Sequence, residues 1–270
     1  MVKIRTSLKW LFIGLVILFI YAPILLLTVY SFNASEMITS WQGFSLEHYE
    51  YFFNMDNQPL PIVLQTLLLG LIVATLSTVL GTVGAIGIFY SKKRTSSVLN
   101  GVNQIPVINA EVVTAISFAF LVVALNIPKS TYIPLVVGQM VLCTPFVVLS
   151  VIPKLKQMDN NLYEAALDLG ATPTKALFSV ILPQIMPGVV SGFLLAMTLS
   201  LDDYVIAAYT KPNTFQTIST HIYSLAKGGT VNTIKSSYWA FTAVIFFIIV
   251  IAVVVMNVVA HKKAGKKWKN

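Results

Sequence analysis

Asp202 and Asp203 are the only charges in an otherwise apolar run from Gly188 to Tyr209. A carboxylate at the centre of a bilayer costs on the order of 2.5–3.5 kcal/mol on insertion scales. If the run is a membrane helix counted from Pro187, the pair lies about 22 to 24 Å along it, past the midplane. Such groups must face water, protein or a positive partner. The chemistry they fit is attraction of a cationic solute, with Tyr204 and Tyr209 placed to add cation–π contact. A structural polar contact, or a span that stops short of them, is the competing reading. Neighbours on a helix differ by about 100°, so the pair is expected to split, one acid lining a path and the other packing against a neighbouring helix or subunit. Glu111 is the only charge between Ile105 and Leu125. At a helix start it is favoured by the dipole, and a place in an exit path is the competing reading. His48, His221 and His261 show no i,i+4 spacing and Cys143 is the only cysteine, so neither a metal site nor a disulfide is expected. No phosphate-cradling Gly-x-x-x-x-Gly-Lys-Ser/Thr loop occurs, and no catalytic constellation is apparent.

The elements that must position these acids are membrane spans. Hydrophobic residues make up 56% of the 270, charged residues 10%, and mean hydropathy is +0.80. A soluble surface needs more charge than that. Charge-free runs cover residues 10–32, 62–90, 131–153 and 237–260. With 105–125 and 188–209, each holding only the acids named above, they make six. Each meets the roughly 20 residues that a helix needs to cross the hydrocarbon. The first is too long for a signal-peptide core and is read as a retained span. Between the first two runs, Ser45 is the expected cap of a short interfacial helix and His48 a solvated loop residue. Gly81, Gly84 and Gly87 form a stripe suited to close helix packing. Alternating six spans from a cytoplasmic N-terminus places 14 of the 18 basic residues inside. That bias puts both termini in the cytoplasm. The net charge of +8 is therefore a topology signal and a lipid-surface anchor at the C-terminal tail, with no nucleic acid implied. The chain reads as one all-α transmembrane domain, residues 1–270, of a plasma or inner membrane.

The polar interruption 154–187 carries its own punctuation. Asn161 and Glu164 have capping-box spacing, and Gly170 stands where a left-handed residue would end a short helix. Thr172 and Pro173 open a second helix. Pro183 is expected to break it, with a further break at Pro187.

Glu164, Ala165, Ala166, Gly170, Leu182 and Pro183 resemble the EAA loop of ABC-importer permeases, with Val180 where isoleucine is usual. The ending Tyr21–Asn33, the pattern Ser200–Val205 and Ile222-Tyr223-Ser224 resemble the permease subunits of polyamine importers over nearly the whole chain. The resemblance implies a type I importer permease fold of six transmembrane helices, with 154–187 as a cytoplasmic ATPase-coupling loop. It implies a second permease subunit, two ATPase subunits carrying ATP and Mg, an extracytoplasmic substrate-binding protein, and spermidine or putrescine as cargo. No cofactor is expected in this chain. A permease for a sugar, metal or anion remains open, as does a proton-coupled carrier or membrane scaffold that works without an ATPase.

Overall fold

The computed structural model describes residues 2–35, 40–54, 59–128, 130–159, 161–227, 238–244, 246–247 and 251. The chain divides into two compact units, 1–61 with 224–270, and 62–223. Among the described residues there is no strand, only an isolated bridge between Asn33 and Phe44. Glu36, Asp56, Lys129, Lys235, His261, the basic tail and most of the run 237–260 lie outside the described residues.

In the first unit, α1 covers Val2–Tyr30, starting eight residues before the apolar boundary at Trp10. Lysine and arginine are good helix formers, so the greasy run and the helix do not share an edge. The chain then folds back on itself. Asn33 accepts from the Gln42 N–H at 2.8 Å and donates to the Ser40 carbonyl at 2.7 Å, and Ser31 Oγ meets Tyr49 OH at 2.8 Å. The short helix α2 spans Glu47–Phe53 with Leu46 at its cap position. Ser45 stands one residue earlier than expected, accepting from the Glu47 N–H at 3.1 Å. His48 is buried rather than solvated.

The second unit is built on α3 (Pro59–Tyr90, from Ile62 onward), α4 (Lys93–Ile108), α5 (Glu111–Ala124) and α6 (Ile133–Gln157). After them come α7 (Asn161–Asp168), α8 (Pro173–Ala176), a π-helical turn (Leu177–Ile181), α9 (Leu182–Asp202), α10 (Val205–Thr210) and the start of α11 (Ile218–Lys227). Four described helices are long and apolar enough to cross a membrane, or five if the bent pair α4–α5 counts as one span.

Several expected boundaries are corrected. The run 105–125 is not one helix: its first turn belongs to α4, and α5 leaves at 105° after Asn109 and Ala110. Both residues are extended, and the Asn109 amide donates to Thr114 Oγ1 at 3.2 Å. Asparagine bonding to nearby polar groups in this way favours a helix end over a helix interior. The helix drawn as 131–153 runs on to Gln157, because Lys154 and Lys156 extend a helix as readily as they end an apolar stretch. The span drawn as 188–209 stops at Asp202.

Pro183 and Pro187 break nothing. Helical structure is continuous from Pro173 to Asp202. Just ahead of Pro183 the Leu182 N–H reaches back five residues to the Leu177 carbonyl. That widened turn gives room to a ring that would otherwise strike the carbonyl four residues back. The capping box is also absent: Asn161 is already helical, and the carboxylate of Asp159 accepts its N–H at 3.0 Å.

The core of this unit is α6 packed along α9, with Val147 fully buried at its centre. A methyl group added to Gly81 would sit 2.6 Å from Val147 Cβ, and one at Gly192 3.0 Å from Val147 Cγ1. Val147 is thus a knob gripped between two glycine notches. The expected stripe is used only in part, since Gly84 is in ordinary contact and Gly87 faces open space.

A carboxylate-lined cavity at the end of α9

Three helix ends converge on one cavity of about 290 Å³. The C-terminus of α9 supplies Asp202 and Asp203, the first turn of α5 supplies Glu111, and Tyr204 leads into α10. No basic side chain lines it among the described residues. The two aspartates share this cavity because the helix ends between them. Asp203 takes an extended backbone (φ −60°, ψ 114°), so the 100° spacing of a continuous helix no longer separates the pair.

Their environments differ sharply. Asp202 is exposed, whereas Asp203 is 4% exposed. Asp203 Oδ1 accepts the Ile206 N–H at 2.9 Å, and Oδ2 accepts the Ala207 N–H at 3.0 Å and Gln139 Nε2 at 2.8 Å. It therefore caps α10, satisfying amide groups that have no partner within that helix. Gln139, on α6, is fully buried and accepts from Ser200 Oγ at 2.8 Å. Glu111 lines the same cavity as both aspartates. Carboxylates this close repel unless a proton or cation sits with them.

Tyr204 stacks at 4.2 Å, tilted 37°, on Tyr223 of α11. The Ser219 hydroxyl donates toward the last carbonyls of α9, at 3.2 Å to Leu201 and 3.3 Å to Asp202. The end of the span is thereby tied down beside the acids. Tyr209 is exposed on α10 and does not line the cavity.

The Glu-Ala-Ala stretch lies at the other end of the same helical run. From Pro173 to Asp202 a 30-residue helix would measure about 44 Å at 1.5 Å per residue. Glu164 and Ala165 are exposed, and α7 buries none of its residues. Leu169 is 89% exposed. Gly170 is left-handed (φ +83°). Its N–H bonds to the Leu167 carbonyl at 2.9 Å and that of Ala171 to Ala166 at 3.0 Å, the paired closure of a Schellman end. Thr172 accepts the Lys175 N–H at 3.3 Å as the cap of α8. Leu182 is half-buried and Pro183 exposed where the run turns into α9.

Sequence reasoning placed Asp202, Asp203 and Tyr204 together but left Glu111 apart, held Ser200 and Tyr223 only as parts of a family pattern, and missed Gln139. The available signal for Glu111 was its solitude as a charge in an apolar run. Gln139 gave a similar, weaker signal as the lone amide of the apolar run 131–153.

The profile of the binding-protein-dependent transport system inner membrane component matches residues 77–264. The chain is 30% identical over 259 residues to the spermidine/putrescine transport system permease protein PotC of Haemophilus influenzae, covering 96% of this chain and 98% of that protein. It is 34% identical over 217 residues to the putrescine transport system permease protein PotI of Escherichia coli K12, covering 78% and 77%. Those relatives are transport permeases, and with several spanning helices this chain is a multi-pass membrane protein. It belongs to the family of binding-protein-dependent transport system inner membrane components.

Proposed function

We propose that the chain is a permease subunit of an ATP-driven ABC importer that carries polyamines, spermidine or putrescine, into the cytoplasm. The observation that carries this is the cavity itself: three carboxylates and the rings of Phe146 and Tyr204, with no basic side chain among the described lining residues. A polyamine offers the matching chemistry, ammonium groups spaced along an apolar chain. Asp202, exposed at the end of α9, receives an ammonium group. Tyr204 and Tyr223 offer ring faces to the charge or to methylene groups, while Tyr209 stands at the approach. Asp203 holds the negative potential from the buried side and Glu111, itself exposed, from the facing wall, and an entering cation brings the whole cluster closer to neutrality. The relatives' names point to the same cargo.

The rest of the account follows from that role. The chain works as one permease domain of six spans, the sixth being the run 237–260, with both termini cytoplasmic. Residues 154–187 form the coupling loop, in which Glu164, Ala165, Ala166 and Gly170 meet an ATPase subunit and Leu182 and Pro183 pass its movement into α9. A related second permease completes the path, two ATPase subunits supply ATP and Mg, and an extracytoplasmic binding protein delivers the cargo. No reaction is catalysed in this chain. Closure of the ATPase pair pulls on α7 and α8, and the continuous run from Pro173 carries the displacement to the acids at Asp202. Such a lever fits alternating access around a site within the membrane.

Cells relying on this importer should accumulate labelled spermidine or putrescine, resist competition by sugars, and lose uptake on Asp202→Asn. Unimpeded uptake by that variant, or competition by a sugar, would defeat the proposal.

A further inference from the structure

Gln139 has no part in the proposed path, yet it is a polar side chain with no exposed surface. Its two polar atoms are committed in opposite directions. Nε2 donates to Asp203 Oδ2 at 2.8 Å, and Oε1 accepts from Ser200 Oγ at 2.8 Å. A carboxylate oxygen only accepts, so Asp203 fixes which way the amide faces. The Ser200 hydroxyl then completes Oε1. A second contact of Nε2, at 3.4 Å, reaches the Ser200 carbonyl in the last turn of α9. One buried amide thus ties α6 to the end of α9 and to the acid beyond it.

From this geometry we infer that Gln139 is a positioning residue for cargo recognition: it holds the Asp203 carboxylate in the cavity through an amide that Ser200 keeps in register. The inference rests on the cavity being the cation site proposed above. Gln139 does not line the cavity, so it acts only through Asp203. Two features make the choice of glutamine specific. A leucine of similar size supplies no donor. A glutamate places a further carboxylate against a cluster that already holds Glu111, Asp202 and Asp203. Hydrogen bonds to charged groups are among the stronger ones in proteins, so loss of this one is read as a change on the order of tenfold.

The test uses the full chain assembled with its partner subunits, comparing wild type, Gln139→Leu, Gln139→Glu and Gln139→His. A fifth version is the exchange Gln139→Glu with Asp203→Asn. KM and maximal rate of spermidine uptake are measured alongside the melting temperature of the purified assembly. Gln139→Leu and Gln139→Glu should raise KM by about tenfold, with a smaller effect on maximal rate. Gln139→His, which keeps a ring N–H at comparable reach, should restore much of the affinity. Gln139→Glu should also melt lower than wild type, and the exchange should regain part of that loss: one amide again faces one carboxylate, while asparagine at 203 gives up the bond that the second oxygen takes from the Ala207 N–H.

The inference is overturned if Gln139→Glu matches wild type in both readouts, or if the exchange is no better than Gln139→Glu alone. Should Gln139→Leu fail to assemble, Gln139→His and the exchange still decide. Melting needs no cargo: absence of spermidine uptake by wild type would remove the polyamine reading, while recovery in the exchange would still uphold the pairing with Asp203.

Discussion

Gly170 is where the proposed coupling loop can be perturbed with least collateral change. Its φ is +83° and nothing lies within 4 Å of the position a Cβ would take. A side chain added there meets no neighbour, so its whole cost is backbone strain. For an L-residue in the left-handed region that cost is about 1–2 kcal/mol. No residue of α7 is fully buried, and its Tyr163 is only half-buried, against Tyr90 at 5.7 Å, so the strain is set against limited packing. A change of this size shifts the balance between bent and unbent forms by roughly five- to thirtyfold. Gly170→Ala should therefore weaken binding of the ATPase subunit and ATP-driven uptake by about that factor, while the chain still inserts and melts as before. Gly170→Asn should be milder, since asparagine tolerates the left-handed region, and Gly170→Val the most severe. The assay is pull-down of the ATPase subunit from detergent-solubilised membranes, with uptake measured in parallel. Indistinguishable binding by the glycine, asparagine, alanine and valine versions would refute the claim that this bend presents the docking surface.

Other perturbations follow from the same geometry. Gly81→Val forces atoms into a space where even a methyl would sit 2.6 Å from Val147; thermal melting should show a loss of about 1–3 kcal/mol or more, whereas Gly87→Val should be nearly silent. Thr172→Ala removes the cap of α8 and should cost about 0.5–2 kcal/mol, read as faster proteolysis at the α7–α8 bend with normal melting of the bundle. Glu164→Lys reverses the charge of an exposed residue on α7; it should lower uptake with the chain still inserted, and unchanged uptake with unchanged ATPase binding would remove Glu164 from the contact.

Much of this arrangement was legible before any coordinates, and the failures share a physical cause. Hydropathy reports where lipid is tolerated, so it located the four described helices that are long and apolar enough to cross a membrane. It says little about where helices start and stop. Lys154 and Lys156 continue α6 past the apolar edge, and Asn109 breaks a run that looked seamless. Local turn chemistry was readable where it depends on one residue's backbone, as at Gly170 and Thr172. It failed where a neighbour competes, as when Asp159 takes the N–H of Asn161. Pro183 was overrated because the π turn that accommodates it has no signature in composition. The acid cluster was half visible. The aspartates announce themselves as charges in an apolar run, but their convergence with Glu111 depends on the 105° bend and on α9 ending at Asp202. Both are tertiary facts. Gln139 and Ser200 meet across 61 residues of sequence, a distance that periodicity does not bridge.

The most direct test is uptake of radiolabelled spermidine into sealed proteoliposomes holding the full assembly, with binding protein on one face and ATP on the other. The account predicts accumulation that requires ATP on the face exposing Gly170 and that is lost when Asp202 becomes asparagine. Accumulation driven by a proton gradient without ATP, or unaffected by Asp202→Asn, would contradict it.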